Sequence, residues 1–502
     1  MGVIAKQSIR ATVITYVGVA VGFVTTFFVL TRFLTSEEIG LARVLVDAAT
    51  LFIGLAQLGT TSSTIRFYPY FRSEDGREHG FFFWTLIVPF IGFGIFALLY
   101  IALAGVLQNY FGERSALFVN YYYFVLPIAF FMLYQTVFET DSNVRMRIVV
   151  PRAVRELLTR IGLLILYLLY AFRWLSLDGF VWGLCAVYAL AALCNILYFV
   201  LTETDLGIFR PDISYLKNNL PIVRRYASYT AFLILSAVAT ILAPYISSFI
   251  ITAEQGLSET GIFAIATYMA VIVSIPYRSL NAIAAPQLAA AIKEDDTKQI
   301  NSLTSQVANN LLLVGSLILL TIWINIDLIY HILPNGQIYE TAKYCVLILG
   351  LSQLLLATFN ISLTTLNYSK FYYLSLIWSA VLTVSAIWLN NKLIPQYGMN
   401  GAAMANLLSY ALYFVLILLT TGLMLHTTPL TKNMLKTLFI ATMVLALNYI
   451  WKTYAPSINM WLDSIIRSVI LLGGTAIITW QWHISPEIEQ WVKDKIFSIK
   501  KG

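Results

Sequence analysis

Polar residues recur along one face of an otherwise apolar stretch near the N-terminus. Drawn as a helix turning 100° per residue, residues 40–66 place six small or polar residues within about 40° of one line. Arg43 and Asp47 lead this stripe at the spacing of a helical ion pair. The stripe predicts the wall of an aqueous cavity, and a polar seam between packed helices is the alternative. Its members are Arg43, Asp47, Thr50, Gly54, Gln57 and Thr61.

A shorter polar stripe occupies the apolar stretch at 260–286. Its charged member, Arg278, lies 15 residues before Lys293 and is therefore expected near the middle of a membrane-spanning helix. No acidic residue lies nearby in sequence to neutralise it, and a guanidinium group is a planar fork suited to phosphate oxygens. We therefore predict an anion site, with pairing to another helix as the alternative. The stripe comprises Thr267, Ser274, Arg278 and Asn281.

Two further arginines are weaker anion-site candidates. Arg160 has Glu156 four residues before it, so a local ion pair explains it equally well. Arg66 ends the first stripe, where a long side chain can extend to the lipid headgroups. Glu139 and Asp141 end another apolar stretch and are expected to be solvated.

Smaller polar residues suggest that two more helices line the same pathway. The first and seventh apolar stretches each carry such residues on one face, and Pro244 is expected to kink the seventh and provide a hinge. These candidates are Thr15 and Thr26 in the first stretch and Tyr229, Ser236 and Thr240 in the seventh.

The elements that would position these residues are membrane helices. Apolar residues make up 59% of the 502-residue chain and charged residues 11%, against about 25% charged in soluble domains. A membrane helix needs about 20 mainly apolar residues. We therefore predict an all-α polytopic protein with about fourteen spans, at 9–33, 40–66, 81–107, 116–139, 153–172, 179–202, 222–251, 260–286, 302–326, 340–366, 371–390, 400–425, 434–452 and 461–483.

The basic residues indicate orientation and not a nucleic-acid partner. With the N-terminus and every second connection on one side, 22 Lys and Arg residues fall on that side and 5 on the other. Because Lys and Arg concentrate in cytoplasmic loops, both termini are predicted to be cytoplasmic. The net charge of +7 is spread over these short clusters.

No feature of the sequence predicts catalysis. The connections are too short for a catalytic domain, and Cys185, Cys194 and Cys345 lack the spacing of metal ligands. We expect no catalytic residue, no metal site and no cofactor; a coupling ion, H⁺ or Na⁺, is left open.

Three landmarks recur at one offset and indicate an internal repeat. Ser36-Glu-Glu-Ile-Gly is similar to Ser258-Glu-Thr-Gly-Ile, Arg72-Ser-Glu-Asp to Lys293-Glu-Asp-Asp, and Gly179 to Gly401, all at 221–222 residues. Parallel repeats of this kind build transporters with a site between two lobes. We predict two pseudo-equivalent six-helix lobes around a central cavity, at 1–206 and 207–425, followed by two helices and a cytoplasmic tail at 426–502.

Two segments resemble a known group of transporters. The stretch from Leu34-Thr-Ser-Glu-Glu-Ile-Gly-Leu through Gln57-Leu-Gly-Thr-Thr-Ser-Ser-Thr-Ile-Arg-Phe-Tyr looks like the N-terminal signature of Wzx-type polysaccharide flippases, in the multidrug/oligosaccharidyl-lipid/polysaccharide exporter superfamily. Tyr397-Gly-Met-Asn-Gly-Ala-Ala-Met-Ala, which leads into Ser409-Tyr, resembles that family's segment opening its twelfth helix.

The resemblance implies a bacterial inner-membrane flippase for an undecaprenyl-pyrophosphate-linked oligosaccharide. It would work by alternating access in the synthesis of surface polysaccharides such as O-antigen, capsule or exopolysaccharide, and its partners would be the lipid bilayer and the polysaccharide polymerase and chain-length machinery. It also implies that Arg43 and Arg278 lie in helices where the pyrophosphate would be received.

Three other functions remain as alternatives. A cation-coupled multidrug antiporter, with Asp47 as the coupling acid, and a lipid II flippase belong to the same superfamily. A membrane-embedded polysaccharide polymerase or ligase would be an enzyme, and it would need a larger periplasmic loop than any found here.

Overall fold

The computed structural model describes residues 3–73, 77–203, 210–454, 459–487 and 489–490, with only the backbone at 3–13, 231–241 and 282. The described residues form helices and no strands, which confirms the predicted all-α polytopic fold. Eleven of their helices are long and apolar enough to cross a membrane. The predicted spans all fall mainly on helical residues, whereas the count of fourteen crossings stays a prediction.

The chain divides into two compact units, Met1–Ala264 and Ile265–Gly502. Unit 1 contains eleven principal helices and the first part of a twelfth, which crosses the unit boundary. In chain order they are α1 (Val3–Val24), α2 (Ser36–Ala56), α3 (Thr60–Phe71), α4 (Phe81–Ala102), α5 (Ala104–Gly112), α6 (Val125–Val144), α7 (Thr159–Ala171), α8 (Leu177–Thr202), α9 (Ile213–Asn218), α10 (Leu220–Ile241), α11 (Ala243–Glu254) and α12 (Leu257–Val271).

The start of α2 is fixed by a capping box. The Thr35 hydroxyl accepts a hydrogen bond from the Glu38 backbone N–H at 3.3 Å, and the Glu38 carboxylate accepts one from the Thr35 N–H at 2.8 Å. Two of the N–H groups that a helix start leaves unpaired are thereby satisfied. The helix consequently begins four residues before the predicted span at 40–66.

A break separates α2 from α3. Leu58 and Gly59 have positive φ angles of 47° and 69°, so the helix stops at Gln57 and restarts at Thr60. Gly59 tolerates this left-handed conformation because it has no Cβ. The predicted stripe therefore runs along two helical pieces and not along one continuous helix.

The repeat landmarks on α2 and α12 contact each other. The hydroxyl oxygens of Ser36 and Ser258 are 2.7 Å apart. A Cβ added to Gly40 would lie 1.9 Å from the Leu257 carbonyl oxygen, and one added to Gly261 would lie 1.9 Å from that of Ser36. The two helices thus cross backbone to backbone, with nearly the same contact made in both directions.

Unit 2 contains the remainder of α12 and seven further principal helices. They are α13 (Ile275–Lys293), α14 (Thr297–Ile324), α15 (Ile326–Ile332), α16 (Lys343–Tyr368), α17 (Tyr373–Met424), α18 (Lys432–Tyr454) and α19 (Met460–Gln481). The 52-residue α17 is broken at Gly398, whose φ of 55° and ψ of −135° are not helical. This break falls between the predicted spans 371–390 and 400–425.

The last two helices are packed against α14. An apolar cluster joins the three helices through side chains of all of them. Asp327 on α15 accepts hydrogen bonds from both Lys343 on α16 and Lys452 on α18. The apolar cluster contains Leu313, Leu320, Ile324, Ile440, Val444, Leu471 and Ile484.

Candidate functional site

Arg43 and Asp47 form an ion pair, which their i, i+4 spacing allows and which belongs to the polar-seam alternative. The Arg43 Nε donates to an Asp47 carboxylate oxygen at 2.7 Å, and the two side chains are 20% and 6% exposed. Ser248 of α11 is buried near the same carboxylate. The pair therefore lies in a mostly buried part of unit 1, where each charge offsets the other.

The rest of the first stripe is half-buried or buried. Thr50 is half-buried and donates to the Val46 carbonyl oxygen at 2.7 Å, a bond within its own helix. Thr61 donates to the Gln57 side-chain oxygen at 2.8 Å, so these two residues are joined across the break after α2. Gly54 is buried. That the stripe lines an aqueous cavity stays a prediction.

Arg160 is held by two groups of unit 1. Its Nη1 donates to the Gly18 carbonyl oxygen of α1 at 2.9 Å, and its Nη2 lies 3.0 Å from the Glu156 carboxylate. A Cβ on Gly22 would approach Arg160 Nη1 to 2.7 Å. The side chain thus connects α7 to α1, which agrees with the local-pair alternative. On α1 and its π-helical continuation at Thr25–Leu30, Thr15 and Thr26 are half-buried.

Arg66 has no carboxylate partner among the described residues. Its guanidinium carbon lies 4.2 Å from the ring centre of Tyr229 on α10, a cation–π contact. Both residues line an open cavity of about 390 Å³ between α3 and the first turns of α10. Two more arginines, Arg224 and Arg225, line the same cavity.

The seventh predicted span is interrupted where its proline predicts. The chain leaves α10 at Ile241 and enters α11 at Ala243, with Pro244 in the first turn of α11. The side chains of Ser236 and Thr240 lie outside the described part of the structure. Whether the interruption acts as a hinge stays a prediction.

The stripe of the eighth span lies in unit 2 and is also interrupted. A 3₁₀ turn at Ile272–Ser274 separates α12 from α13, and the Ser274 hydroxyl donates to the Val271 carbonyl oxygen at 3.0 Å. Asn281 accepts a hydrogen bond from Thr364 at 3.3 Å. Thr267 is half-buried.

Arg278 itself is exposed on α13. No ion pair or hydrogen bond to its side chain occurs among the described residues of unit 2. Within unit 2 its guanidinium group is therefore available for an anion.

The expectation that Glu139 and Asp141 are solvated is wrong. Asp141 is 1% exposed; one oxygen accepts from Thr85 at 2.9 Å, and the other has no hydrogen-bond partner among the described residues. Glu139 is 4% exposed and ion-paired with Arg155 at 3.1 Å. Both carboxylates face groups from distant parts of the chain, which the local sequence does not reveal.

Sequence reasoning also missed the role that Arg224 and Arg225 can play. Both belong to a basic cluster that serves equally well as an orientation signal, and only the packing of α10 against α3 brings them beside Arg66. The one sequence feature that could have indicated this role is the pair of consecutive arginines near the start of a predicted helix. Among the described residues, no cluster of His, Cys, Asp and Glu has the arrangement of a metal site.

A family model matches the N-terminal part of the chain. The family is described as polysaccharide biosynthesis protein, and the match covers residues 4–290. No curated protein is detectably similar in sequence.

Solved structures with the same fold are distant in sequence. The lipid II flippase MurJ, in an inward closed conformation, superposes with a TM-score of 0.71 at 13% identity over 95% of this chain and 100% of its own. An inward-facing multidrug resistance MATE transporter of the MOP superfamily gives 0.62 at 14% identity over 82% of this chain and 97% of its own. A mutant form of the Vibrio cholerae MATE transporter VcmN gives 0.56 at 15% identity over 84% and 99%. At these identities the likeness establishes the fold.

Proposed function

The chain belongs to the polysaccharide biosynthesis protein family, and we propose that it moves an undecaprenyl-pyrophosphate-linked oligosaccharide from the cytoplasmic to the periplasmic leaflet. The observation that carries this proposal is the coincidence of a polysaccharide-family sequence with the fold of a lipid-carrier flippase. A charged pyrophosphate and its sugars need a wet, cationic route, because hydrocarbon cannot solvate them. The polyprenyl tail can remain in lipid throughout.

The arginines differ in how well they suit the pyrophosphate. Arg278 has no ion-pair or hydrogen-bond partner among the described residues of unit 2 and is the first choice. Arg43 and Arg160 are already paired with Asp47 and Glu156, so their net contribution to an anion is smaller. Arg66 keeps its full charge beside Tyr229.

A cation-coupled antiporter is the second candidate, favoured by the likeness to MATE folds. Asp47 is a poor choice for the coupling acid because Arg43 neutralises it. Asp141, buried and only half hydrogen-bonded, is a better one for H⁺ or Na⁺. A flippase can use the same carboxyl for ion coupling, so the transported molecule decides between the two functions.

The proposal includes a location and partners. We place the protein in the bacterial cytoplasmic membrane with both termini in the cytoplasm, because the excess of Lys and Arg lies on that side. It would deliver its cargo to the polysaccharide polymerase and chain-length machinery. No catalytic residue is proposed.

Deleting the gene and identifying the lipid that accumulates tests the proposal. We expect an undecaprenyl-pyrophosphate oligosaccharide to accumulate on the cytoplasmic face and surface polysaccharide to disappear. Accumulation of lipid II would favour the cell-wall branch. Normal surface polysaccharide with increased sensitivity to cationic drugs would favour the antiporter. Accumulation of the oligosaccharide on the periplasmic face would indicate a failed polymerase.

A further inference from the structure

Three arginines of unit 1 that form no ion pair among the described residues line one cavity, between α3 and the first turns of α10. Arg66 comes from α3, whereas Arg224 and Arg225 come from the first turns of α10. None of the ion pairs among the described residues involves any of the three. By contrast, Arg43 and Arg160 lie against carboxylates. The cavity therefore carries charge that no ion pair among the described residues compensates.

The walls of the cavity are built by close packing of the two helices. The Ser63 and Thr230 hydroxyl oxygens are 2.8 Å apart, and the Phe67 ring packs on Tyr226 at 5.4 Å and on Tyr229 at 5.7 Å. Farther along α3, Tyr215 of α9 donates to the Tyr70 carbonyl oxygen at 3.0 Å. The helix segments that carry the three arginines are thus held together by contacts within the protein, without a ligand.

The N–H groups of Arg66 make no hydrogen bond among the described residues. Its guanidinium carbon lies over the Tyr229 ring, a cation–π contact that uses none of these donors. The Ser228 hydroxyl also lines the cavity. The cavity thus combines three guanidinium groups and a hydroxyl, a donor set that suits phosphate oxygens.

The position along the helices indicates which stage of transport the cavity serves. Arg66 in α3 and Arg224 and Arg225 in the first turns of α10 belong to the clusters on the side where Lys and Arg are in excess, which is the cytoplasmic side by the positive-inside rule. About 390 Å³ is within the range of small-ligand pockets. A lipid carrier with its tail in the inner leaflet would present its headgroup at this level.

We propose that Arg66, Arg224 and Arg225 form a loading site that binds the pyrophosphate of the lipid carrier at the cytoplasmic surface, before transport. This inference rests on the proposed function for the identity of the lipid. The shared chemistry is a lipid phosphate, and an ordinary anionic phospholipid is the other possible source. A pyrophosphate carries more charge than the single phosphate of phosphatidylglycerol, so three guanidinium groups favour it.

Binding to purified protein in detergent tests the loading site. The probes are undecaprenyl pyrophosphate and phosphatidylglycerol, and native mass spectrometry gives each Kd. The Arg224→Gln/Arg225→Gln variant should bind undecaprenyl pyrophosphate on the order of tenfold or more weakly, with little change for phosphatidylglycerol. Lys217→Gln is the matched control, because Lys217 is exposed on the neighbouring α9 and lies outside the cavity lining.

Three outcomes would overturn the loading site. They are unchanged binding of undecaprenyl pyrophosphate, an equal loss in Lys217→Gln, and an equal loss for phosphatidylglycerol, which would indicate an ordinary bilayer lipid. If the glutamine variant does not fold, Arg224→Lys/Arg225→Lys keeps the charges but loses the planar fork and should still weaken binding measurably. If the protein binds undecaprenyl pyrophosphate selectively but no lipid-linked oligosaccharide accumulates in the deletion strain, the proposed function is contradicted. The anion site itself would still be supported.

Discussion

Gly40 of α2 and Gly261 of α12 lie where these two helices cross. Because neither glycine has a side chain, the backbones of the two helices can approach each other closely. A Cβ on either glycine would come within 1.9 Å of a carbonyl oxygen on the opposite helix. The glycines lie 221 residues apart in the sequence, the offset of the predicted repeat. Two glycines at the offset of the predicted repeat thus supply the two halves of one contact.

Gly40→Val should destabilise the protein, because the new side chain must push the backbone of α12 away. We expect a loss of about 1–3 kcal/mol or more in the free energy of unfolding, measured as a lower midpoint of thermal unfolding in detergent. Gly94→Ala is the matched control, since nothing lies within 4 Å of its would-be Cβ. An unchanged midpoint in Gly40→Val would show that the crossing is looser than the structure indicates.

Arg278→Ala should abolish surface polysaccharide export while the protein still accumulates in the membrane. The guanidinium is exposed and pairs with no described residue of unit 2, so its removal leaves none of these residues with an uncompensated charge. Arg278→Lys should retain part of the export, because it keeps the charge and loses the planar fork. The measurement is surface glycan per unit of membrane protein.

Lys298→Ala is the control for Arg278, as Lys298 is an exposed basic residue near the start of α14. Export at the wild-type level in Arg278→Ala would remove this residue from the anion pathway. A parallel loss in Lys298→Ala would point to a general effect of charge.

Cysteines on the polar face of α2 and α3 should react with a water-soluble maleimide. We expect reaction at positions 50, 57 and 61 and none at 51 and 55, because a thiol in hydrocarbon does not form the reactive thiolate. Gly54 is left out because it is buried. The background must lack Cys185, Cys194 and Cys345. Equal labelling of all five positions would contradict a water-lined stripe and favour the polar-seam alternative.

The Asp327 bridge should make unit 2 sensitive to acid. Burial alone would raise the pKa of Asp327, but hydrogen bonds and charge from Lys343 and Lys452 outweigh it and hold the pKa below its usual value of 3.8. A carboxyl with a lowered folded-state pKa stabilises the fold above its unfolded pKa, and this contribution is lost as the pH falls through the folded value. We therefore expect wild type to lose this contribution as the pH falls below about 4.

Asp327→Asn should lower the unfolding midpoint at pH 7 by on the order of a few degrees. The difference from wild type should shrink as the pH falls below about 4, where wild type loses the same charge. Glu487→Gln, on a residue outside this bridge, serves as the control. A difference that stays constant from pH 7 to pH 3 would mean that the Asp327 charge does not stabilise unit 2.

The helices were predictable because hydrophobic length is a local property of the sequence. The break at Leu58 and Gly59 was not predictable. The stripe was drawn on one continuous helix over 40–66, and a single glycine in the sequence does not indicate a positive φ. The Arg43–Asp47 pair followed from its spacing alone. Contacts between residues close in sequence could thus be predicted, whereas departures from regular helix geometry could not.

The site was harder to predict, because its parts meet only through packing. Asp141 looks solvated at the end of an apolar stretch, yet Thr85 from another helix covers it. Arg224 and Arg225 serve as orientation charges in the sequence and become cavity walls only beside Arg66. In a chain with few charges, the positions of the charges were predictable, whereas their neighbours were not.

The bridge from Asp327 to Lys343 and Lys452 has a practical consequence for observing this protein at work. Together with the apolar cluster on α14, it makes α18 and α19 rigid attachments of unit 2. A fluorophore or an antibody epitope placed on either helix would follow unit 2 as a whole. Helices α18 and α19 therefore offer attachment sites for probes in single-molecule recording, and labelling there would alter none of the residues proposed to contact the anion.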